Sequence, residues 1–560
     1  MKDLMSTVMT TNSASSVDLA NELDQLLSGF TLTGDRKEAI NKLKELIETK
    51  SNTEPKFLVG DDSDSIRSNP VVPVTEDIGN QTSTETELSI SEQEDIQLLE
   101  LMKNGRIKHR ELEKKVSPMR AVKLRRNFLE HETGVDLASL PCENYDYRLV
   151  NGACCENPFG YMTIPVGCAG PLLFNKETLY LPLATTEGAL IASINRGCKV
   201  LTESGGVRTA ILKDGMTRAP VIAFEDMDEA LRLYSWIQEE DNFSLLKKKF
   251  DSTSNYGLLQ NIEPDIEGNY VYLRFQATTG DAMGMNMVSN GVQAAMNVIK
   301  KEFPAGRILA LSGNQCIDKK AAGINWIKGR GKSVKAWAVI PGSIVETQLK
   351  TKVDLMVELC EAKNLIGSST ALSIGGWNCQ AANIVAAIFL ATGQDAAQVV
   401  SSSMCLTSMK KTSSGDLMVT CDMKCLEVGT VGGGTILAPQ QTCLKMLKCR
   451  EMEIKPGENA RRLAEIICAA VVAGEVSLAA ALLTDDLVKS HMTMNRSKLD
   501  LKSEPSILKS QEKQGISSLF STPTTRVQNK NAELKANTGS MNKMEKIMRK
   551  TKHSDCFHLV

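Results

Sequence analysis

The chain has 560 residues, of which 42% are hydrophobic and 24% charged, the balance of a globular protein long enough for several domains. A formal net charge of −2 provides no broad basic field for nucleic acid or for an acidic membrane surface. Fifteen cysteines, odd in number and without a CxxC pair, argue against a disulfide framework or zinc ribbon and for a reducing compartment. Five histidines without an HExxH pair lead us to expect no metal.

The first residues, MKDLMSTVMTTNSASS, lack the apolar run of a signal peptide. Residues 1–85 hold Ser/Thr/Asn-rich and acidic runs and are expected to be a mostly disordered linker, with one amphipathic island at Asp35–Ile47. From Ser89 the pattern turns helical: SEQEDIQLLELMKNG predicts a helix ending at Gly105, and the charged segments IKHRELEKK and MRAVKLRRNFLEH follow. The basic cluster Lys123, Arg125 and Arg126 reads as a solvated helix face.

From Asn144 to Leu501 the composition is Gly-, Ala- and Val-rich with few charges, a large folded core. Strand-like runs (YMTIPVG, LYLPLA, APVIAF, YVYLRFQ, RILALSG, SVKAWAVI) alternate with helical ones (GALIASINRGCKVL, GVQAAMNVIKKEF, NIVAAIFLATG, ENARRLAEIICAAVVAGEVSLAAALL). An α/β or α+β enzyme core follows. The uncharged stretch Asn364–Gln394 contains Gly375, Gly376, Asn378, Gln380 and Asn383, so it predicts a buried helix over Ala381–Thr392 rather than a membrane span. Residues 502–560 return to Lys/Ser/Asn/Gln-rich sequence, expected to be a disordered tail.

Several residues can carry chemistry. Glu187, in LPLATTEGALIASINRG, is the only charge between Glu177 and Arg196. Thr185 and Thr186 can cap a helix start there, and a desolvated carboxyl would have the raised pKa that a general acid needs. A capping or salt-bridged glutamate is the alternative. SGNQCIDKK (Ser312–Lys320) sets Asp318, Lys319 and Lys320 side by side after a strand-like run, and a lysine so placed can stabilise an oxyanion. Asp395 is the only charge between Lys363 and Lys410, a carboxylate that should need a partner. His491 is the only histidine inside the core. GDAMGMNM (Gly280–Met287) and GTVGGGT (Gly429–Thr435) offer small residues where backbone can approach a nucleotide. Each alone also has a structural reading; together they are parts for polar carbonyl chemistry. GRGKS (Gly329–Ser333) completes neither a P-loop nor a GxGxxG fingerprint.

With ENPFG, IPVGCAGP, DGMTRAP, GQDAAQ and KSHMTMNRSK, these motifs resemble, in order and over about residues 89–500, the catalytic portion of eukaryotic-type 3-hydroxy-3-methylglutaryl-coenzyme A reductases. The resemblance implies an α+β fold. A large domain (151–219 and 311–501) would be built on a long central helix, with an inserted ferredoxin-like nucleotide-binding domain (220–310) and a small N-terminal helical domain (86–150). It implies two hydride transfers from NADPH, rather than NADH, that reduce the thioester to mevalonate and release coenzyme A. Lys319 would stabilise the oxyanions, Glu187 would donate a proton, Asp395 would lie between them and tune both, and His491 would protonate the departing thiolate.

Substrate contacts would come from Arg218, Ser312, Asp318, Lys320, Lys363 and Asn383, and coenzyme A contacts from Ser193, Asn195, Arg196 and Lys350. Nucleotide contacts would come from Ser254, Asn255, Tyr256, Asp281, Met283, Gly284, Met285, Asn286, Met287, Val431, Gly432 and Gly433. The active site would be shared between two subunits of a homodimer or dimer of dimers, with ENPFG at the interface. Asn255 stands where members carry an arginine beside the NADPH 2′-phosphate, His109 replaces a tyrosine over the adenine of coenzyme A, and Gln380 replaces a histidine near the substrate. Ser497 matches a serine phosphorylated in the family. Without the family's membrane anchor the chain would be cytosolic, or, as a fragment, would belong to the cytosolic face of the endoplasmic reticulum.

Overall fold

The computed structural model describes residues 90–484; the expected linker and tail, His491 and Ser497 lie outside the described residues. The chain opens with two helices, α1 (Ile90–Lys103) and α2 (Pro118–Thr133), joined through a 3₁₀ turn at His109–Lys114. Proline at the first position of α2, and Gly134 at φ 68° just past its end, set its limits. A small core of Met102, Ile107, Leu112, Ala121 and Leu124 holds the pair together.

The expected solvated face on α2 is corrected: Arg125 and Arg126 are 1% and 9% exposed. Arg125 donates to the carbonyls of Pro158 and His109 and to the Glu113 carboxylate. Arg126 donates to those of Leu137, Leu140 and Phe159. A guanidinium has five N–H donors, so two of them satisfy the irregular backbone of 137–159, ENPFG included. Only Lys123 stays exposed, paired with Glu143.

A hairpin of β1 (Val166–Phe174) and β2 (Glu177–Ala184) leads into α3 (Leu190–Glu203) and the long strand β3 (Arg208–Arg218). Next come β4 (Val221–Ala223), α4 (Met227–Ile237), α5 (Glu240–Asp251), β5 (Leu259–Glu267), β6 (Tyr270–Ala277), α6 (Met285–Glu302) and β7 (Arg307–Ala310). The chain continues through β8 (Gly331–Ile340), a helix at Val353–Leu359 that runs on as a π-helical stretch to Gly367, and β9 (Gly376–Trp377). It closes with α7 (Ala381–Thr392), β10 (Cys405–Lys411), β11 (Leu417–Leu426) and α8 (Glu458–Leu483).

The strand order is β7-β4-β6-β3-β8-β11-β10-β9, with β5 on β6. All pairings are antiparallel except β9 with β10. Strand β3 belongs to both halves of this sheet: residues 208–215 pair with β8 and 216–218 with β6. Each half has its own core. One, which includes Ile222, Phe224, Leu233, Phe250, Phe275 and Val292, lies between β4–β6 and α4–α6. The larger one joins β1, β2, α3, β8, β10, β11 and α7 around α8. The molecule is a mixed α/β protein.

Helix α8 spans 26 residues. By length and composition it could cross a membrane, yet most of it is buried inside the protein, with its Ala and Val side chains packed on every face. Small residues let neighbours come close. A Cβ on Gly197 of α3 would overlap the carbonyl of Ala473, so glycine sets the spacing of α3 and α8. The sequence expectation differs at several strands. YMTIPVG becomes extended only at Val166, and β3, β5, β10 and β11 were not foreseen.

Candidate active site

The Ser312–Lys320 loop leaves β7 and passes through left-handed backbone at Asn314 (φ 65°), Ile317 (φ 38°) and Lys319 (φ 58°). Such conformations cost energy in non-glycine residues and persist where surrounding contacts impose them, commonly at functional sites. Lys319 Nζ lies 2.8 Å from Asp395 Oδ2. The Asp395 hydrogen bond holds the lysine above its ordinary range, against partial burial. Asp395 follows the left-handed end of α7 at Gly393 and also caps the next 3₁₀ turn, its Oδ1 accepting from Ala397 N at 3.0 Å. The partner expected for Asp395 is therefore found, and a structural cap is found with it.

Behind Lys319, Asp318 accepts from Arg330 Nη1 at 3.0 Å and from Gln398 Nε2 at 3.2 Å. Burial works to raise the Asp318 carboxyl, but Arg330, Gln398 and Lys319 outweigh it and hold it below the usual carboxylate range. Lys320 donates to the Asp318 carbonyl, and the Ser312 hydroxyl contacts the Cys316 thiol. Arg218, at the end of β3, donates from Nε to Ser289 of α6 at 2.9 Å.

Glu187 departs from expectation. The helix starts only at Leu190, after Ala189 at φ 70°, and Glu187 lies in the connection with its own N–H on Thr185 Oγ1. The apolar flanks point into the core from β2 and α3, while the carboxylate is exposed. The burial inferred from its neighbours is absent in the single chain. Its carboxylate accepts from Asn383 Nδ2 at 3.2 Å, not from a group near Asp395. Asn383 stands in the first turn of α7 and Asp395 just past its end, so about 14 Å of helix separates them. Lys363, exposed on the π-helical stretch, stands near Cys379, just before α7. Glu475 pins that approach, both carboxylate oxygens accepting, at 2.7 Å each, from Cys379 N and Gln380 N.

The three segments expected around a nucleotide converge. Ser254 Oγ accepts from the N–H groups of Tyr256 and Gly257, and a Cβ on Gly280 would touch Tyr256. Ala282 bridges Val431, and Thr430 N donates to Asp281 O at 2.7 Å. A Cβ on Gly429 would overlap Met283 N, so only glycine allows this approach. Gly432 (φ 77°) and Gly433 (φ 53°) face open space, an exposed backbone cradle. Gly284, left-handed at φ 88°, opens α6. Met283 Sδ meets Gln398, Met285 Sδ meets Arg330, and Asn255, Tyr256 and Asn286 are exposed. Met287 packs beside Gly257. Asp281 is also the cap of α8, accepting from Gly457 N at 2.9 Å and Ala460 N at 3.0 Å.

On α3, Ser193 meets Ser477 of α8 at 3.0 Å, and Arg196 donates to the Ser477 hydroxyl and carbonyl. Asn195 accepts from Gly170 N, and Lys350 is exposed with its backbone at φ 57°. The sequence reading passed over Arg330, Glu427, Glu475 and Gln398. The two glutamates carry the same signal that marked Asp395: Glu427 is the only charge between Lys424 and Lys445, and Glu475 the only one between Glu465 and Asp485. Among the described residues no group of His, Cys, Asp and Glu side chains could hold a metal.

A strained lysine loop ion-paired to a carboxylate, beside two glycine-rich segments in register, defines a mixed α/β protein of enzyme type. A family model described as "Hydroxymethylglutaryl-coenzyme A reductase" matches residues 121–496, and the chain belongs to this family, whose members are oxidoreductases. A 3-hydroxy-3-methylglutaryl-coenzyme A reductase 1 of Dictyostelium discoideum is 48% identical over 428 residues, 76% of this chain and 78% of the relative. A reductase of Xenopus laevis is 50% identical over 394 residues, 70% of this chain and 45% of the relative. One from Gibberella fujikuroi is 49% identical over 423 residues, 74% and 36% respectively. The chain thus spans about a third to a half of several curated relatives it matches. Among solved structures, a class II reductase from Streptococcus pneumoniae aligns with a TM-score of 0.48 at 17% identity, covering 69% of this chain and 97% of that one.

Proposed function

We propose that this chain carries the catalytic portion of a hydroxymethylglutaryl-coenzyme A reductase, reducing the thioester to mevalonate at the committed step of isoprenoid and sterol synthesis. The observation that carries the reading is the 2.8 Å Lys319–Asp395 pair beside the converged 254–256, 281–287 and 431–433 segments. The open backbone at Gly432 and Gly433 fits the phosphates of a dinucleotide, which further side chains there would crowd. When bound, NADPH supplies the two hydrides.

Lys319 faces the thioester carbonyl and stabilises the negative oxygen as the carbon becomes tetrahedral. Breaking the C–S bond then yields an aldehyde and a thiolate, which His491 protonates. Lys319 stabilises the second oxyanion, and Glu187 supplies the proton that completes the alcohol. Arg218, Ser312, Asp318, Lys320, Lys363 and Asn383 bind the hydroxymethylglutaryl end, and Ser193, Asn195, Arg196 and Lys350 the coenzyme A.

Glu187 with Asn383, and Lys319 with Asp395, stand at opposite ends of α7. That separation supports a site completed between two copies of the chain. The β4–β7 unit, antiparallel in the order β7-β4-β6-β5 with its helices on one side, supports a ferredoxin-like nucleotide domain over about 220–310. The test is oxidation of NADPH, and separately of NADH, with hydroxymethylglutaryl-coenzyme A. Turnover by the chain and its loss in Lys319→Ala are expected. No turnover with either nucleotide, in a folded chain that binds the thioester, would overturn the reading, and the ratio of the two rates measures what Asn255 contributes.

A further inference from the structure

Glu427 directly follows β11 and leads into the Gly429–Thr435 segment. It is completely buried, as is Arg330, whose Nη1 lies 2.6 Å from Glu427 Oε1. The contact is close but poorly aligned, and neither Glu427 oxygen receives a properly directed hydrogen bond. The Nη1 hydrogen bond goes instead to Asp318, Nε reaches Thr217 Oγ1 at 3.1 Å, and Nη2 points at Met285 Sδ. The Ser401 hydroxyl, 3.3 Å from the Gln398 carbonyl, also stands next to Glu427 and favours its charged form.

One guanidinium therefore stands between two carboxyl groups in a buried place, and it can fully compensate only one. Asp318 has the better geometry and a second donor in Gln398, so it keeps its charge. Burial pushes Glu427 up to about 7, against the pull of Arg330 and of the Ser401 hydroxyl and with a further push from Asp318. The other groups facing the pair work in known directions. Lys319 and Arg274 bring positive charge, while Cys425 and Cys316 are thiols and leave the charge of the cluster unchanged when protonated.

We propose that Glu427 is a positioning residue of the reductase site, competing with Asp318 for Arg330 and so setting, by its protonation, how firmly the Lys319 loop is held. When Glu427 is neutral, Arg330 is committed to Asp318 and the loop is held. When it ionises, Arg330 is drawn toward it and the hold on Asp318 weakens. Because Arg330 also touches Met285, the same shift reaches the segment read as nucleotide-binding. The inference rests on the reductase reading, and two measurements separate its fate from that of the reading.

In the full chain, the KM for hydroxymethylglutaryl-coenzyme A should rise about tenfold as pH passes through about 7, the size of one coupled charge pair. In Glu427→Gln the KM should stay low across that range with kcat little changed. The same inflection in the variant, or loss of kcat at every pH in a folded variant, would overturn the proposal. The second measurement needs no turnover. A carboxyl raised from 4.5 to about 7 stabilises the fold below pH 4.5, and this is lost as pH rises to about 7. Across that window the unfolding constant should rise about tenfold per unit through this one group. Asp318→Asn removes the competitor, so the upper end of the window should move to lower pH; an unmoved window would overturn the competition whether or not the chain reduces the thioester.

Discussion

Lys319 is held in a conformation that only its surroundings can justify, and the surroundings are two carboxylates. Asp395 takes its ammonium at 2.8 Å, and Asp318, next in the chain, is tied down by Arg330 and Gln398. Asp395 raises the Lys319 pKa, so it keeps the cation present to higher pH. In Asp395→Asn that support disappears, and the alkaline limb of kcat should move to lower pH. We expect kcat to fall about 100-fold, the usual cost of weakening one oxyanion donor, with a smaller change in KM. A pH–rate profile with an unmoved alkaline limb would show that Asp395 does not set the charge of Lys319.

At this scale an isolated charge is legible where it means what it suggests, a carboxylate in need of a partner. Asp395 is such a case, found half-buried and paired. Glu187 is the counterexample, because its apolar neighbours fold away from it rather than over it. Arg330 could not be read from its surroundings. It lies between two glycines in a segment whose only visible pattern was an incomplete phosphate loop.

Among the elements, α8 and α7 were legible to their ends because each combines an apolar run with a sharp stop: Gly457 before α8 and Gly393 after α7. The unforeseen strands lack such signals. β11 alternates buried and half-buried residues, but its outward positions include Thr420, Asp422 and Lys424, and β5 carries Pro264, acceptable there because it is an outer strand. Element packing gives a sharp expectation at Gly197. Alanine there would force α3 and α8 apart, because its Cβ would meet backbone rather than a movable side chain. We expect Gly197→Ala to lose about 3 kcal/mol of stability, read as a lower denaturation midpoint at unchanged slope. An unchanged midpoint would mean that α3 can shift freely. Asp281 offers a milder case. Removing the α8 cap with Asp281→Ala should cost about 1–2 kcal/mol, a loss visible without any nucleotide.

For the whole molecule, the two ends of α7 pose a problem of geometry. Glu187 and Asn383 lie at one end, and Lys319 and Asp395 at the other. No side-chain movement spans the helix between them. In the site proposed above a symmetric pair of chains would solve it, since the same two surfaces would meet twice, each Lys319 end facing the partner's Glu187 end. Linear order could not reveal this: Glu187 and Lys319 both stand out in the sequence, but nothing in their spacing says that they lie at opposite ends of one helix. Complementation tests it. Lys319→Ala and Glu187→Gln chains, each inactive alone, should recover activity when unfolded and refolded together. In a mixed pair one site carries both lesions and the other carries neither. Random pairing makes half the dimers mixed, so about a quarter of wild-type turnover should return in a two-fold dimer. Recovery near zero, with mixed pairs demonstrated by differential tagging, would place both residues in one chain's site and require α7 to move.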